Sequence, residues 1–167
     1  MMSDRSRTRD PKIVSQAELL KIRKKLRSKD KSVVFTNGCF DLLHAGHIKL
    51  FRKAKARGDV LVVALNDDAS VRRLKGPARP IFPLAERLEV LAAVSDIDYV
   101  TWFGEDTPQQ IIAALLPDVL VKGGDWTPET VVGRPEVEAA GGKVVIIPYI
   151  KGKSTSGIIG KVRKLNS

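Results

Sequence analysis

Apolar residues along this chain follow two rhythms, short unbroken runs and helical spacing, and the two take turns. Behind Ser15-Gln16-Ala17-Glu18, which matches a capping box, Leu19, Ile22 and Leu26 share one helical face, so a helix is predicted to about Lys29. The apolar run from Val33 to Thr36 is long enough only for a buried strand. A helix over Gly46 to Arg57 follows, with Ile48, Phe51 and Ala54 inward and Gly58 as its stop. Val60 to Leu65 is a second buried strand. Residues 69–82 hold a short helical piece and then the basic, proline-containing loop Leu74 to Pro80, a candidate lid. Pro83 to Val94 reads as a helix with Leu84, Leu88 and Leu91 inward. Asp98 to Trp102 is a third strand, and Thr107-Pro108 opens a helix that Pro117 stops after Leu115. A fourth strand over Val119 to Val121, a short helix near Pro135 to Ala140, a fifth strand over Val144 to Ile147 and a helix from Thr155 to Lys164 complete the pattern.

Strands alternating with helices need crossover connections and build a parallel sheet. The predicted class is α/β, a single Rossmann-like three-layer domain with a five-stranded parallel sheet over residues 13–167. A disordered basic tail is expected over residues 1–12, which are polar and charged without periodicity. No G-x-G-x-x-G fingerprint is present, which argues against a dinucleotide-dependent dehydrogenase. In open parallel sheets ligands bind beyond the carboxyl ends of the strands. Those ends are polar here. Strand one is followed by Asn37, Gly38, Cys39, Phe40, Asp41, His44 and His47, and strand two by Asn66, Asp67 and Asp68. Lys122, Gly123, Gly124 and Asp125 follow strand four, and Lys153, Ser154, Thr155 and Ser156 follow strand five.

Composition narrows the classes. With 43% hydrophobic residues among 167, the chain has the makings of one globular core. Its single cysteine excludes an internal disulfide and suits a reducing, cytoplasmic setting. No apolar run approaches the roughly 18 to 20 residues that span a bilayer, and the first ten residues lack the apolar middle of a secretory signal, so no membrane partner is expected. The net charge of +10 invites a nucleic-acid reading, but the charge sits at the ends. Residues 1–31 hold 11 Lys/Arg against 4 Asp/Glu, residues 151–167 hold 5 Lys/Arg and no acid, and the body between is slightly acidic. With aromatics at only 5%, a solvated basic helix and tail is the plainer reading, and nucleic acid is not an expected partner.

The densest chemistry lies between the first strand and the helix after it. His44-Ala45-Gly46-His47 stands where a strand hands over to a helix, and helix amino termini attract phosphate through unpaired N–H groups and the dipole. Histidines three apart can point the same way at a helix start. Gly38 and Gly46 let backbone approach closely. Ser154, Thr155 and Ser156 offer hydroxyls and helix-terminal N–H groups, although an ordinary N-cap explains them too. H-x-x-H can also chelate zinc, but a structural site usually adds paired cysteines, so no metal site is expected. Cys39 reads as a small buried residue rather than a nucleophile. Asp41 and Asp125 can cap turns, and Lys49, Arg79 and Arg87 can be solvated surface charges.

The order strand, G-x-F-D-x-x-H-x-G-H, helix resembles the nucleotidyltransferase superfamily that carries the H-x-G-H signature. The resemblance implies coupling of a nucleoside triphosphate to a phosphorylated small molecule with release of pyrophosphate. It makes His44, His47 and Lys49 the catalytic candidates. Gly38, Cys39, Phe40, Asp41, His44, His47, Asp125 and Ser154 to Ser156 become nucleotide-binding candidates. Asn37, Asp41, Asn66, Arg79 and Lys122 become substrate-binding candidates. The superfamily's last-helix motif carries an arginine where this chain has Ile159, so Lys153, Lys161 or Arg79 would have to replace it. Phe35 to Asp41, the Lys75 to Pro80 loop, Glu105-Asp106-Thr107-Pro108, Ala139 to Gly142 and above all Val121-Lys122-Gly123-Gly124-Asp125-Trp126 resemble one subfamily. This is the D-glycero-β-D-manno-heptose 1-phosphate adenylyltransferases of lipopolysaccharide inner-core synthesis. That resemblance implies ATP and a sugar 1-phosphate as substrates, Mg2+ on the triphosphate, the stand-alone form of the enzyme and a homo-oligomer (dimer or tetramer). Glycerol-3-phosphate cytidylyltransferases, FAD synthetases and a module that kept the fold but lost activity remain the alternatives.

Overall fold

The computed structural model describes residues 10–148, 152 and 154–165. Five strands, β1 (Val33–Gly38), β2 (Val60–Asn66), β3 (Tyr99–Phe103), β4 (Val119–Gly123) and β5 (Lys143–Ile147), form one parallel sheet in the order β3-β2-β1-β4-β5. The helices are α1 (Gln16–Arg27), α2 (Ala45–Lys55), α3 (Asp68–Lys75), α4 (Leu84–Ala92), α5 (Gln109–Leu115), α6 (Arg134–Ala139) and α7 (Thr155–Leu165). A short turn of 3-10 helix over Pro128–Thr130 is an addition to the predicted elements.

Alternation along the strands feeds two cores, one on each face. Val34, Leu61, Val63, Leu65, Val119 and Val121 pack with Phe51 and Ala54 of α2 and Leu88 and Leu91 of α4. Their neighbours Val33, Phe35, Val62, Ala64 and Leu120 pack with Leu19 of α1, Ile111, Ile112 and Leu115 of α5 and Val137 of α6. Each such side chain taken fully out of water contributes about 1.5–3 kcal/mol, so the central strands can only be sandwiched. The predicted capping box of α1 is present, with Glu18 N–H donating to Ser15 Oγ at 3.2 Å and Ser15 N–H donating to Glu18 Oε2 at 2.7 Å.

Residues 10–12, which the sequence reading assigned to the tail, are among the described residues and join the fold. Lys12 donates its ammonium to Val94 O at 3.1 Å, Val100 N–H donates to Lys12 O at 2.8 Å, and Ile13 makes a parallel bridge to Val100. Residues 10–14 lack helical or strand periodicity, yet the edge of β3 offers unpaired backbone groups that they satisfy.

The order of strands reverses between β1 and β4: from β1 the chain proceeds outward through β2 and β3, then returns to the other side of β1. A switch point of this kind leaves a crevice beyond the carboxyl ends of the two central strands. Asn37 and Gly38 end β1 there, and Lys122 and Gly123 end β4.

Candidate functional site

The crevice begins with a histidine used as a helix cap. His44 is the N-cap of α2, with extended backbone, and Gly46 N–H donates to its Nδ1 at 3.1 Å. His47, one turn on, returns the favour: His44 N–H donates to His47 Nδ1 at 3.4 Å. The pair is a capping box built from two imidazoles, with the rings stacked at 3.9 Å between centroids. Because both Nδ1 atoms accept, Nε2 is left as the N–H donor of each ring. Burial, and secondarily the neighbouring His44, push the His47 imidazolium down to about 4, so His47 is neutral at physiological pH. Phe40 meets its ring edge-on at 5.3 Å and Phe51 stacks at 6.5 Å, which fixes its orientation.

Phe40 itself is held at φ 43°, a left-handed conformation that bulky residues rarely adopt. Its ring lies over Gly38, where a Cβ would come within 3.1 Å of it. A glycine is therefore needed at the end of β1 for the chain to turn so closely under the histidines.

Asp41 is bound by the loop that follows α3. Its carboxylate, wholly buried, accepts from Arg79 Nε at 2.7 Å, Ile81 N–H at 2.7 Å and Phe82 N–H at 2.9 Å. Burial alone would raise its pKa, but the amides of Phe82 and Ile81 and the Arg79 guanidinium outweigh it and hold the carboxyl below its usual range. Asp41 and Arg79, both expected at the ligand, thus tie the Gly76–Phe82 loop to the histidine motif.

Arg87 is not the solvated surface charge that the sequence allowed. It is 2% exposed and donates to Cys39 O, Asn66 O, Phe82 O and the Asp68 carboxylate at 2.7 to 3.0 Å. One guanidinium therefore joins the ends of β1 and β2 to the turn before α4. Its position on the inward face beside Leu88 and Leu91 of α4 was the signal available in sequence. Asn66 is likewise occupied: its amide donates to Ser70 Oγ at 2.9 Å, and its Oδ1 takes the Cys39 thiol at 4.0 Å. Burial raises the Cys39 thiol pKa, the behaviour of a packed residue and not of a nucleophile.

Lys49 sits on the exposed side of α2. Two residues on from His47 is about 200° around the helix, so the two do not converge. Asp125 and Ser156 are exposed. Ser154 Oγ accepts Gly157 N–H at 3.0 Å and caps α7, and Thr155 Oγ donates to Leu42 O at 3.3 Å. That last bond brings the start of α7 against the loop carrying the histidines, joining the two phosphate-binding candidates. Lys161 is exposed on α7, and Lys153 lies outside the described residues.

Across the crevice, Lys122 is 9% exposed and donates to Asn37 Oδ1 at 2.6 Å, from the end of β4 to the end of β1. Its ammonium lies 5.6 Å from the centre of the Trp126 ring. Burial pushes the Lys122 pKa down to about 8. Trp126 was noted in sequence only as part of a motif; its place beside a buried cation is visible in the fold alone.

The chain is 54% identical over 153 residues to the bifunctional protein HldE of Syntrophotalea carbinolica, a match covering 92% of this chain and 31% of that one. It therefore spans about a third of the length of the curated relatives it matches. The crystal structure of a lipopolysaccharide core biosynthesis protein from Thermoplasma volcanium superposes with a TM-score of 0.59 at 28% identity, covering 74% of this chain and 99% of that one. A pantoate-beta-alanine ligase from Francisella tularensis shares the fold, with a TM-score of 0.61 at 16% identity over 93% of this chain and 79% of its own. The family model described as cytidylyltransferase-like matches residues 35–158. That match runs from the middle of β1 into α7 and takes in every strand end described above, and on it the chain belongs to the cytidylyltransferase-like family of nucleotidyltransferases.

Proposed function

We propose that this chain transfers the adenylyl group of ATP to D-glycero-β-D-manno-heptose 1-phosphate, giving ADP-heptose and pyrophosphate. The observation that carries the reading is the stacked His44–His47 pair, two imidazoles locked by reciprocal caps at a helix start beside the switch point. The acceptor phosphate is already ionised, so its oxygen attacks the α-phosphorus without a general base. The new O–P bond forms as the bond to the bridging oxygen breaks, and the electron pair leaves on pyrophosphate. The protein's work is positioning and stabilising charge. His44 and His47 supply Nε2–H donors to triphosphate oxygens, and the N–H groups at the start of α7 supply others. A neutral His47 donates without carrying a competing charge, and its packing between Phe40 and Phe51 means that no reorientation is needed.

The triphosphate brings Mg2+ with it. Among the described residues no group of three His, Cys, Asp or Glu side chains is placed to hold a metal, and Mg2+ characteristically binds through substrate phosphates and waters. The ion would neutralise charge on the phosphates. The choice of heptose rests on the resemblance carried by Lys122 to Trp126, and the likeness to a lipopolysaccharide core biosynthesis protein supports it. CTP in place of ATP is the second reading, favoured by the family's description. We place the enzyme in the cytoplasm; no described helix is long and apolar enough to cross a membrane. We also propose a homo-oligomer: among the described residues none of α7 is fully buried, and Val162 and Leu165 stay exposed.

The test offers ATP or CTP with heptose 1-phosphate, glycerol 3-phosphate or FMN and measures pyrophosphate. ATP with heptose 1-phosphate should be preferred by at least about tenfold in kcat/KM, a difference of about 1.4 kcal/mol. Better turnover of CTP with glycerol 3-phosphate, or of ATP with FMN, would overturn the substrate assignment.

A further inference from the structure

The last helix carries an apolar stripe that its own chain only begins to cover. Ile158, Ile159, Val162 and Leu165 fall on one side of α7 at helical spacing, flanked by Lys161 and Arg163. Ile158 and Ile159 are half-buried, whereas Val162 is 52% and Leu165 83% exposed. The helix holds three cations, Lys161, Arg163 and Lys164, and no acid. Two copies of it side by side would repel, so the stripe calls for a surface that joins apolar groups to carboxylates. The outward side of α4 is such a surface. It presents Glu86, Glu89 and Val90, and Ile81 and Phe82, just before its N-cap Pro83, are exposed beside them. Among the described residues Glu86, Glu89, Lys161 and Arg163 enter no salt bridge. Stripe and surface together account for five of the eight large apolar side chains that the described residues leave exposed. The other three stand beside cations: Leu20 beside Lys21 and Lys24, Leu74 beside Arg73 and Lys75, and Trp126 beside Lys122. Each would repel a basic helix.

We propose that the apolar stripe of α7 docks on the outward side of α4 in a second copy of this chain. This rests on the homo-oligomer reading above and adds to it which surfaces meet. In a two-fold dimer the contact occurs twice, because each copy offers one α7 and one α4. Val162 and Leu165 pack on Val90, Ile81 and Phe82, and the area they take out of water carries the affinity. Lys161 and Arg163 meet Glu86 and Glu89 at the rim, where charge pairs fix partner and register more than they add strength. Both docked elements also hold the histidine motif. Thr155 Oγ, at the start of α7, donates to Leu42 O, and the N–H groups of Ile81 and Phe82 donate to Asp41. Association thus braces from two sides the segment that carries His44 and His47.

The test is sedimentation velocity of the full chain without substrates, so it does not depend on which nucleotide or acceptor is used. The wild type should run as a dimer at micromolar concentration. Two charge-reversed variants, Glu86→Lys/Glu89→Lys and Lys161→Glu/Arg163→Glu, are altered only at exposed positions and should keep the wild-type circular dichroism. Each alone should associate at least about 10²-fold more weakly, because like charges then face each other. An equimolar mixture of the two should associate as the wild type does, since the altered side of each meets its opposite charge in the other. Leu165→Ser, which leaves every charge in place, should weaken association at least about tenfold. Wild-type association of either charge-reversed variant alone, a mixture of the folded variants that stays monomeric, or an unchanged Leu165→Ser dimer overturns the inference. A monomeric wild type overturns it together with the homo-oligomer reading, while adenylyl transfer stands or falls by its own assay.

Discussion

Replacing Lys122 by methionine should stabilise the unliganded protein while it weakens the enzyme. The side chains are of similar length, so methionine fills the channel at the end of β4 without leaving a void. The ammonium is held to about 8 by burial, against an ordinary 10.5. A drop of that size corresponds to about 3 kcal/mol of unfavourable burial at neutral pH. Against this, the bond to Asn37 is lost, at about 1–2 kcal/mol, since Asn37 is half-buried and can turn towards water. The balance is a gain of about 1–2 kcal/mol, or roughly 2–6 °C in Tm for a chain of this size. The pH dependence follows from the direction of the change. Below about pH 8 the lysine is charged in both the folded and unfolded chain, and the wild type bears the full cost. Between about 8 and 10.5 the folded chain releases the proton and the unfolded chain keeps it, so wild-type stability rises with pH and the gap to the variant closes. Chemical denaturation at about pH 7 and pH 9.5 reads both effects, with the gap shrinking by roughly 2 kcal/mol at the higher pH. A variant that is less stable at pH 7, or a gap that ignores pH, would refute the view of Lys122 as a buried cation waiting for an anion.

Arg87→Leu should cost about 3–5 kcal/mol, because it strands the Cys39, Asn66 and Phe82 carbonyls that one guanidinium serves, and thermal melts should show Tm down by about 10 °C or more. The His47 ring should titrate near 4 in an NMR pH series; its neutral form stabilises the fold fully above the usual 6.5, and that contribution is lost as pH falls from 6.5 towards 4. His47→Ala should lower turnover by about 10²–10³, with a modest loss of Tm from the space left between Phe40 and Phe51. Asp41→Asn should loosen the Gly76–Phe82 loop, so that the Ile81 and Phe82 amides exchange with deuterium at least about tenfold faster while exchange in β1 is unchanged.

Periodicity carried the architecture. Each of the five apolar runs became a strand within a residue or two, because buried parallel strands need continuous hydrophobicity and nothing else in the chain supplies it. The histidine motif was legible for the same reason: a strand, a glycine and a helix start leave little freedom about where His44 and His47 can be. Arg79, Arg87 and Asp41 were not. A charged residue in sequence carries no mark of which acceptor it will reach, and Arg87 meets backbone carbonyls from positions 39, 66 and 82 that only tertiary folding assembles. Lys49, a candidate through the family resemblance, is exposed on α2, about 200° around the helix from His47, a separation that a motif alone does not display. The pairing of Lys122 with Asn37 crosses 85 residues and depends on β1 and β4 being neighbours, a strand order that periodicity does not encode.

The most direct measurement of the proposed reaction is a phosphorus NMR time course of the protein with ATP, Mg2+ and heptose 1-phosphate. The account predicts loss of the ATP β-phosphate signal and stoichiometric appearance of pyrophosphate together with the paired doublets of a sugar nucleotide diphosphate. Formation of ADP and inorganic phosphate, or an unchanged spectrum with the folded protein, would contradict it.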